Sequence, residues 1–465
     1  MTPVHDDPLQ GGSHQENDEQ WLSRGDLVKR AAVAAGAAVA APLFGAAAAQ
    51  AAPKAPRTAA VARAGKGKLV MSSFQDNGLL AFKNKIIPLF EHETGIKIQW
   101  VEDDYSSTFE KQFQDGISKA GQFDIYVMDD PWVPQFAAAP VLQNLSKLGL
   151  KNDPDLMQPF METGYWPPRK GPRLPDFKSE TPQIYAMPFV GDMQSLTYRR
   201  DVLGSAPKTW SGLVKEARAK EKPPKTYGIV FRGVKGNPIA TSWFPIFYSQ
   251  GGKLFDNKWK VLFNNPASTR ASEFFVHTLK ALAPPGVVAY DSTQEGAAIL
   301  GGKALTIIQY TGNALLANDP KSTKLVGKLA YATVPRGPGG SIAQIGIWAS
   351  GISTSAPNLQ NAITFQKWFV TRKAQIALAR AGSMPIRRSA FKDPTANRKN
   401  PLMKTILTQL DLGALARPRT PDWAKIEDIV GTELNKALQA GEIGNHLNVA
   451  AAQVTAYLKK QGYYK

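Results

Sequence analysis

The sequence predicts an α/β protein built as two lobes, and three observations point there. Short apolar runs at 69–74, 96–101 and 123–128 alternate with segments of helical spacing. A second set of strand-like and helical segments follows from 198 to 335. The chain has 465 residues, 43% of them hydrophobic and only 20% charged, enough to bury a large two-lobed core and too apolar for a mainly disordered protein.

Taken in order, 69–74 reads as a strand, and 79–93 as a helix with Phe82, Ile86, Leu89 and Phe90 on one side. Thr94-Gly95 ends that helix, and a second strand covers 96–101. A helix over 109–120 and a buried strand over 123–128 follow. Asp129-Asp130-Pro131 closes the strand before a helix over 132–139. This order predicts a parallel sheet with helices on both faces. The run 184–190 is extended and broken by Pro188, Gly191-Asp192 is a turn, and 195–199 is extended again. Pro207 stops the chain, and Thr209 caps a helix over 210–219. Gly212 supplies no acidic partner for a capping box, so Thr209 caps alone. Strands at 227–231 and 304–309, a helix over 268–282 and a hairpin over 254–263 around Asp256-Asn257 make up the second lobe. An extended run at 346–352 precedes helices over 360–370, 372–380, 423–440 and 447–460.

The N-terminus carries a different pattern. Residues 23–30 (SRGDLVKR) precede the uncharged run 31–52, which is rich in alanine and glycine and interrupted by Pro42. A basic start, an apolar middle and small residues at the end define an export signal, and the run is too weakly hydrophobic for a membrane span. It resembles a twin-arginine signal, with Gly25 in place of the second arginine and Leu27-Val28 in place of the usual pair; the general secretory route is the alternative. Cleavage is expected after Ala49-Gln50-Ala51, which removes 1–51 and leaves 52–65 as a flexible tether.

Composition excludes several functions. With no cysteine there are no disulfides, thiolate metal sites, cysteine nucleophiles or lipid-anchored N-terminal cysteine. Net charge is +18, but the basic residues are scattered and no basic run interleaves with stacking aromatics, so no nucleic-acid partner is expected. His92, His277 and His446 have no metal-ligand spacing, and no nucleophile elbow or phosphate loop occurs. No metal or cofactor is implied. Binding candidates lie instead after the carboxyl ends of strands, where open α/β sheets meet ligands: Gln75 after the first, and Asp129, Asp130 and Trp132 after the third. Carboxylates accept hydroxyl hydrogen bonds, and indole faces cover the apolar side of a sugar ring.

The segment 183–210, QIYAMPFVGDMQSLTYRRDVLGSAPKTW, carries a resemblance. Its Tyr-x-x-Pro, Tyr-Arg-x-Asp and Pro-x-Thr-Trp order resembles the lobe crossing of extracellular solute-binding proteins of ABC importers, in the sugar-binding group that includes maltose-binding protein. Residues 90–97 and 123–148 are similar to that family's first lobe, and the resemblance extends over about 66–465. It implies a two-lobed periplasmic-binding-protein fold, with 66–190 and 345–395 in one lobe and 191–344 and 396–465 in the other. About three crossings would join the lobes and let them close on a ligand. By position in the family pattern it implies ligand roles for Trp243, Tyr310, Trp348, Arg388 and Trp423. The implied partners are a carbohydrate or polyol and the permease subunits of an importer, for a monomeric, periplasmic, non-enzymatic protein. A receptor for a glycerophosphoester or another polar solute, and a secreted carbohydrate-active enzyme, are the alternatives. Arginines near the cleft favour the phosphoester over a polyamine.

Overall fold

The computed structural model describes residues 67–464; the expected export signal, its cleavage site and the tether lie outside the described residues. Two sheets organise the chain. The first has five strands, β1 (Lys68–Phe74), β2 (Lys97–Asp103), β3 (Ile125–Asp129), β4 (Met187–Val190) and a late strand, β9 (Trp348–Ile352). The second has four, β5 (Ser195–Arg199), β6 (Tyr227–Val230), β7 (Ala304–Gln309) and β8 (Leu329–Ala332).

The first sheet runs β2-β1-β3-β9-β4 and the second β8-β5-β7-β6. β1 pairs in parallel with β2 and β3, whereas β9 is antiparallel to β3 and β4. In the second sheet only β6 and β7 are parallel. Both sheets are therefore mixed, because β9 and β5 enter from the opposite lobe and run back against their neighbours. β3 is buried along its whole length and reads as a continuous apolar run, as a central strand covered on both faces must.

Local signals act as expected at several ends. Gly95, at φ 74°, closes the helix Ile87–Thr94 in the left-handed region that glycine tolerates. The Thr209 hydroxyl accepts from Gly212 N at 3.0 Å and starts the helix Trp210–Lys220. The hairpin expected over 254–263 shrinks to one bridge, Phe255 to Val261. There the Asp256 carboxylate accepts from Lys258 N and Lys260 N and holds a longer loop instead of a two-residue turn.

The chain passes between the sheets at 191–194 and returns at 345–347. These passages lie side by side: Met193 bridges Ile345, and Gly346 N donates to Asp192 O at 3.1 Å. Ala343–Gln344 also pairs in parallel with Ala414–Leu415, so the C-terminal part runs along the same seam. No helix among the described residues is long and apolar enough to cross a membrane.

Candidate functional site

A cleft of about 1120 Å³ is lined from both sheets. Its walls come from the carboxyl ends of parallel strands: Gln75 to Asn77 after β1, Tyr105 after β2, Asp129 at the end of β3, Arg232 after β6 and Tyr310 after β7. Trp348 joins them because antiparallel β9 starts opposite Asp129.

One wall is aromatic. The Phe74 ring lies 3.8 Å from that of Trp348 and 5.7 Å from that of Tyr105, which meets Trp132 at 4.8 Å. Trp132 Nε1 donates to the Tyr105 hydroxyl, which donates to Asp129 Oδ2 at 2.8 Å. Tyr105 is 36% exposed, while Trp132 and Trp348 are nearly covered. The opposite wall includes Tyr310, whose ring packs over Gly346; a Cβ there would lie 2.3 Å from the ring.

The helix Trp423–Ala440 completes the cleft. Trp423 and Glu427 stand four residues apart, so they share one face. Close approach depends on Gly431, where a Cβ would meet Gly236 O at 2.1 Å. That contact brings Glu427 to Asn237, whose amide donates to Glu427 Oε2 at 2.9 Å.

Buried charge is divided unevenly. Arg417, 2% exposed, donates to both carboxylate oxygens of Asp129 and to Asp130. Arg419 donates to Asp130 Oδ2 at 2.9 Å and to Thr163 O. Four other carboxyls lining the cleft lack such strong pairing. Burial pushes Glu427 up to about 7 and Glu295 up to about 8, against the pull of Arg417 on the first and Arg232 on the second. Burial, reinforced by neighbouring Asp76, raises Asp192 to about 7. Enclosure likewise raises Asp76 to about 6, opposed by the Gly78 amide and the Trp348 indole and assisted by Asp129.

Of the expected site residues, Gln75, Asp129, Trp132, Tyr310, Trp348 and Trp423 line the cleft. Asp130 does not: it is fully buried behind Asp129 by the two arginines. Trp243 does not either. It lies inside the helix Asn237–Ser249, fully buried, stacked on Phe247 at 4.2 Å and donating to Ser272. Residues 239–249 of that helix are buried on every side, which is core character. Arg388 faces away and pairs on the surface with Asp411 at 3.2 Å. Tyr105, Asp192, Arg232, Glu295 and Glu427 were not singled out from sequence. Tyr105, Asp192 and Arg232 had one signal, their place shortly after an extended run; Glu295 and Glu427 had none.

The fold and site define a class. The family model for bacterial extracellular solute-binding proteins matches residues 75–376, and the chain belongs to that family. Among curated relatives, a probable amino-acid ABC transporter periplasmic-binding protein of Sinorhizobium fredii (strain NGR234) is 22% identical over 81% of this chain and 86% of its own length. A solute-binding protein of Agrobacterium radiobacter K84 solved with ribitol superposes at TM-score 0.71, with 24% identity over 84% of this chain and 98% of that one. A maltose-bound T. maritima protein superposes at 0.73, with 22% identity over 84% and 99%.

Proposed function

We propose that this protein is the exported receptor of an ABC importer, which captures a sugar, oligosaccharide or polyol between its lobes and hands it unaltered to the permease. The cleft carries this reading: it is built from strand ends of both sheets and combines an aromatic wall with many hydroxyl acceptors. Ribitol and maltose in structural neighbours support a hydroxyl-rich ligand. The phosphoester alternative loses its basis, because Arg388 lies outside the cleft and Arg417 is committed to Asp129 and Asp130. Export is expected to remove 1–51 and release the protein to the periplasm, so the mature N-terminus begins near Ala52.

A ligand held by both sheets binds the closed arrangement better than an open one and shifts the population toward it. Calorimetry over a panel of sugars and polyols, followed by mass spectrometry of the recovered ligand, tests the receptor reading. Stoichiometric recovery of intact ligand with a smaller radius of gyration in solution scattering is expected. Turnover of the ligand, or no binder in the panel, overturns it.

A further inference from the structure

The cleft is rich in carboxyl groups in a chain of net charge +18: nine line it against three cationic side chains, and of the nine Asp129 is paired with Arg417, Glu102 with Lys83 and Asp428 with Lys425. Those three cations are poorly placed to receive an anion. Arg417 is bound to Asp129 and Asp130. Arg232 lies 3.7 Å from Glu295 and donates to Thr241, and Lys235 is exposed at the rim. Asp76 and Asp192 make no ion pair among the described residues. The Asp192 carboxylate is held by Thr311 N and Oγ1, each at 2.7 Å, and Asp76 accepts from Gly78 N.

A separate observation concerns unmet hydrogen bonds. Glu427 is 5% exposed and its Oε1 has no partner; Gln309 is 4% exposed and its Nε2 has none. Both residues line the cleft. A buried polar atom left unpaired is costly, and a ligand group that meets it recovers that cost.

Resting on the receptor reading above, we propose that the solute carries a protonated amine beside its hydroxyls, as an amino sugar or amino polyol does, with the ammonium at Asp76 and Asp192 and hydroxyls toward Glu427 and Gln309. An ammonium has three donors and no acceptor, which suits a site offering carboxylates without cations. A neutral sugar leaves Asp76 and Asp192 without a cation, and an amino acid brings a further carboxylate toward them. An ammonium also favours the ionised form of both aspartates, which burial first, and then Asp129 beside Asp76 and Asp76 beside Asp192, otherwise oppose. Binding therefore releases protons near neutral pH.

Calorimetry on the full chain with matched probes tests this: sorbitol against 1-amino-1-deoxysorbitol, glucose against glucosamine, and cellobiose against the glucosamine disaccharide, with N-acetylated forms as neutral controls. In at least one pair the amine binds about tenfold or more tightly near neutral pH, and N-acetylation removes the gain. Buffers of different ionisation enthalpy report the proton release. Asp76→Asn and Asp192→Asn, each checked for a retained cooperative melt, lose the amine's advantage over its neutral partner. Neutral members binding as well as amines in every pair, no binding by any amine, or a preference unchanged in both variants overturns the proposal. Neutral binding with closure but without amine preference leaves the receptor reading intact; absence of all carbohydrate binding removes both.

Discussion

Two pairs of aspartates at the cleft are chemically alike and physically opposite. Asp129 and Asp130 are adjacent in sequence, end one strand and are neutralised by Arg417 and Arg419. Asp76 and Asp192 come from separate segments, repel each other and meet only neutral donors from the protein. The first pair ties the C-terminal segment to the end of β3, so its charge is spent on structure. The second pair is left without a cation among the described residues, and burial holds it partly protonated near neutral pH. A carboxylate's usefulness to a ligand thus depends on which cations the fold has already delivered to it.

The largest expected effect comes from breaking the spent pair. Arg417→Met leaves Asp129 and Asp130 buried with only Arg419 and Tyr105 as partners, and should cost about 3–5 kcal/mol in denaturant unfolding. Asp192→Asn, which removes a charge that burial disfavours, should cost far less. Equal losses in the two variants would erase the distinction.

Trp243→Ala sharpens the same contrast among aromatics. It empties a fully buried site beside Phe247 and should destabilise by about 3–5 kcal/mol, with ligand affinity unchanged in the folded protein. Weakened binding at full folding would return Trp243 to the cleft.

A smaller effect follows from pH. Asp76, Asp192, Glu427 and Glu295 are raised to about 6, 7, 7 and 8 in the folded state. The folded protein therefore keeps protons that unfolded carboxyls release near pH 4, and these groups withdraw stability as pH rises through their folded values. The melting temperature of the unliganded protein should fall between about pH 5 and pH 8. Asp393, held near 2 by Arg380, has the opposite sign and acts only below that window. A melting temperature that climbs across the window would contradict the assignment of these carboxyls as raised by burial.

Arg388→Ala should do least. Its pair with Asp411 is exposed, so stability should change by less than about 1 kcal/mol, and binding should not change. A measurable loss of affinity would place it back among the cleft residues.

Much of the fold was legible. Ser195–Arg199, Ala304–Gln309 and the helix Trp423–Ala440 fall where alternation and helical spacing put them, because burial of one face writes its period into the chain. The strand-end rule also found Gln75, Asp129 and Trp132 at the cleft. It failed at Asp130, one residue beyond, because neighbouring side chains at a strand end point to different sides and the second met two arginines. Trp243 failed for another reason: a helix buried on every face, with only small polar residues among its apolar ones, gives no phase from which to tell core from cleft.

By itself the sequence determined the α/β units, the caps at Thr209 and Gly95, and the resemblance that placed the chain among solute-binding proteins, since each rests on residues close together along the chain. Only the tertiary structure decided the electrostatics of the cleft. Arg417 reaches Asp129 from the far end of the chain, and Asp192 meets Asp76 across the start of the helix Thr311–Leu315, where Thr311 holds the Asp192 carboxylate and a Cβ at Gly312 would lie 3.5 Å from Asp76 Oδ2. Such meetings are set by sheet order, and a charge's partner across that distance leaves no local trace.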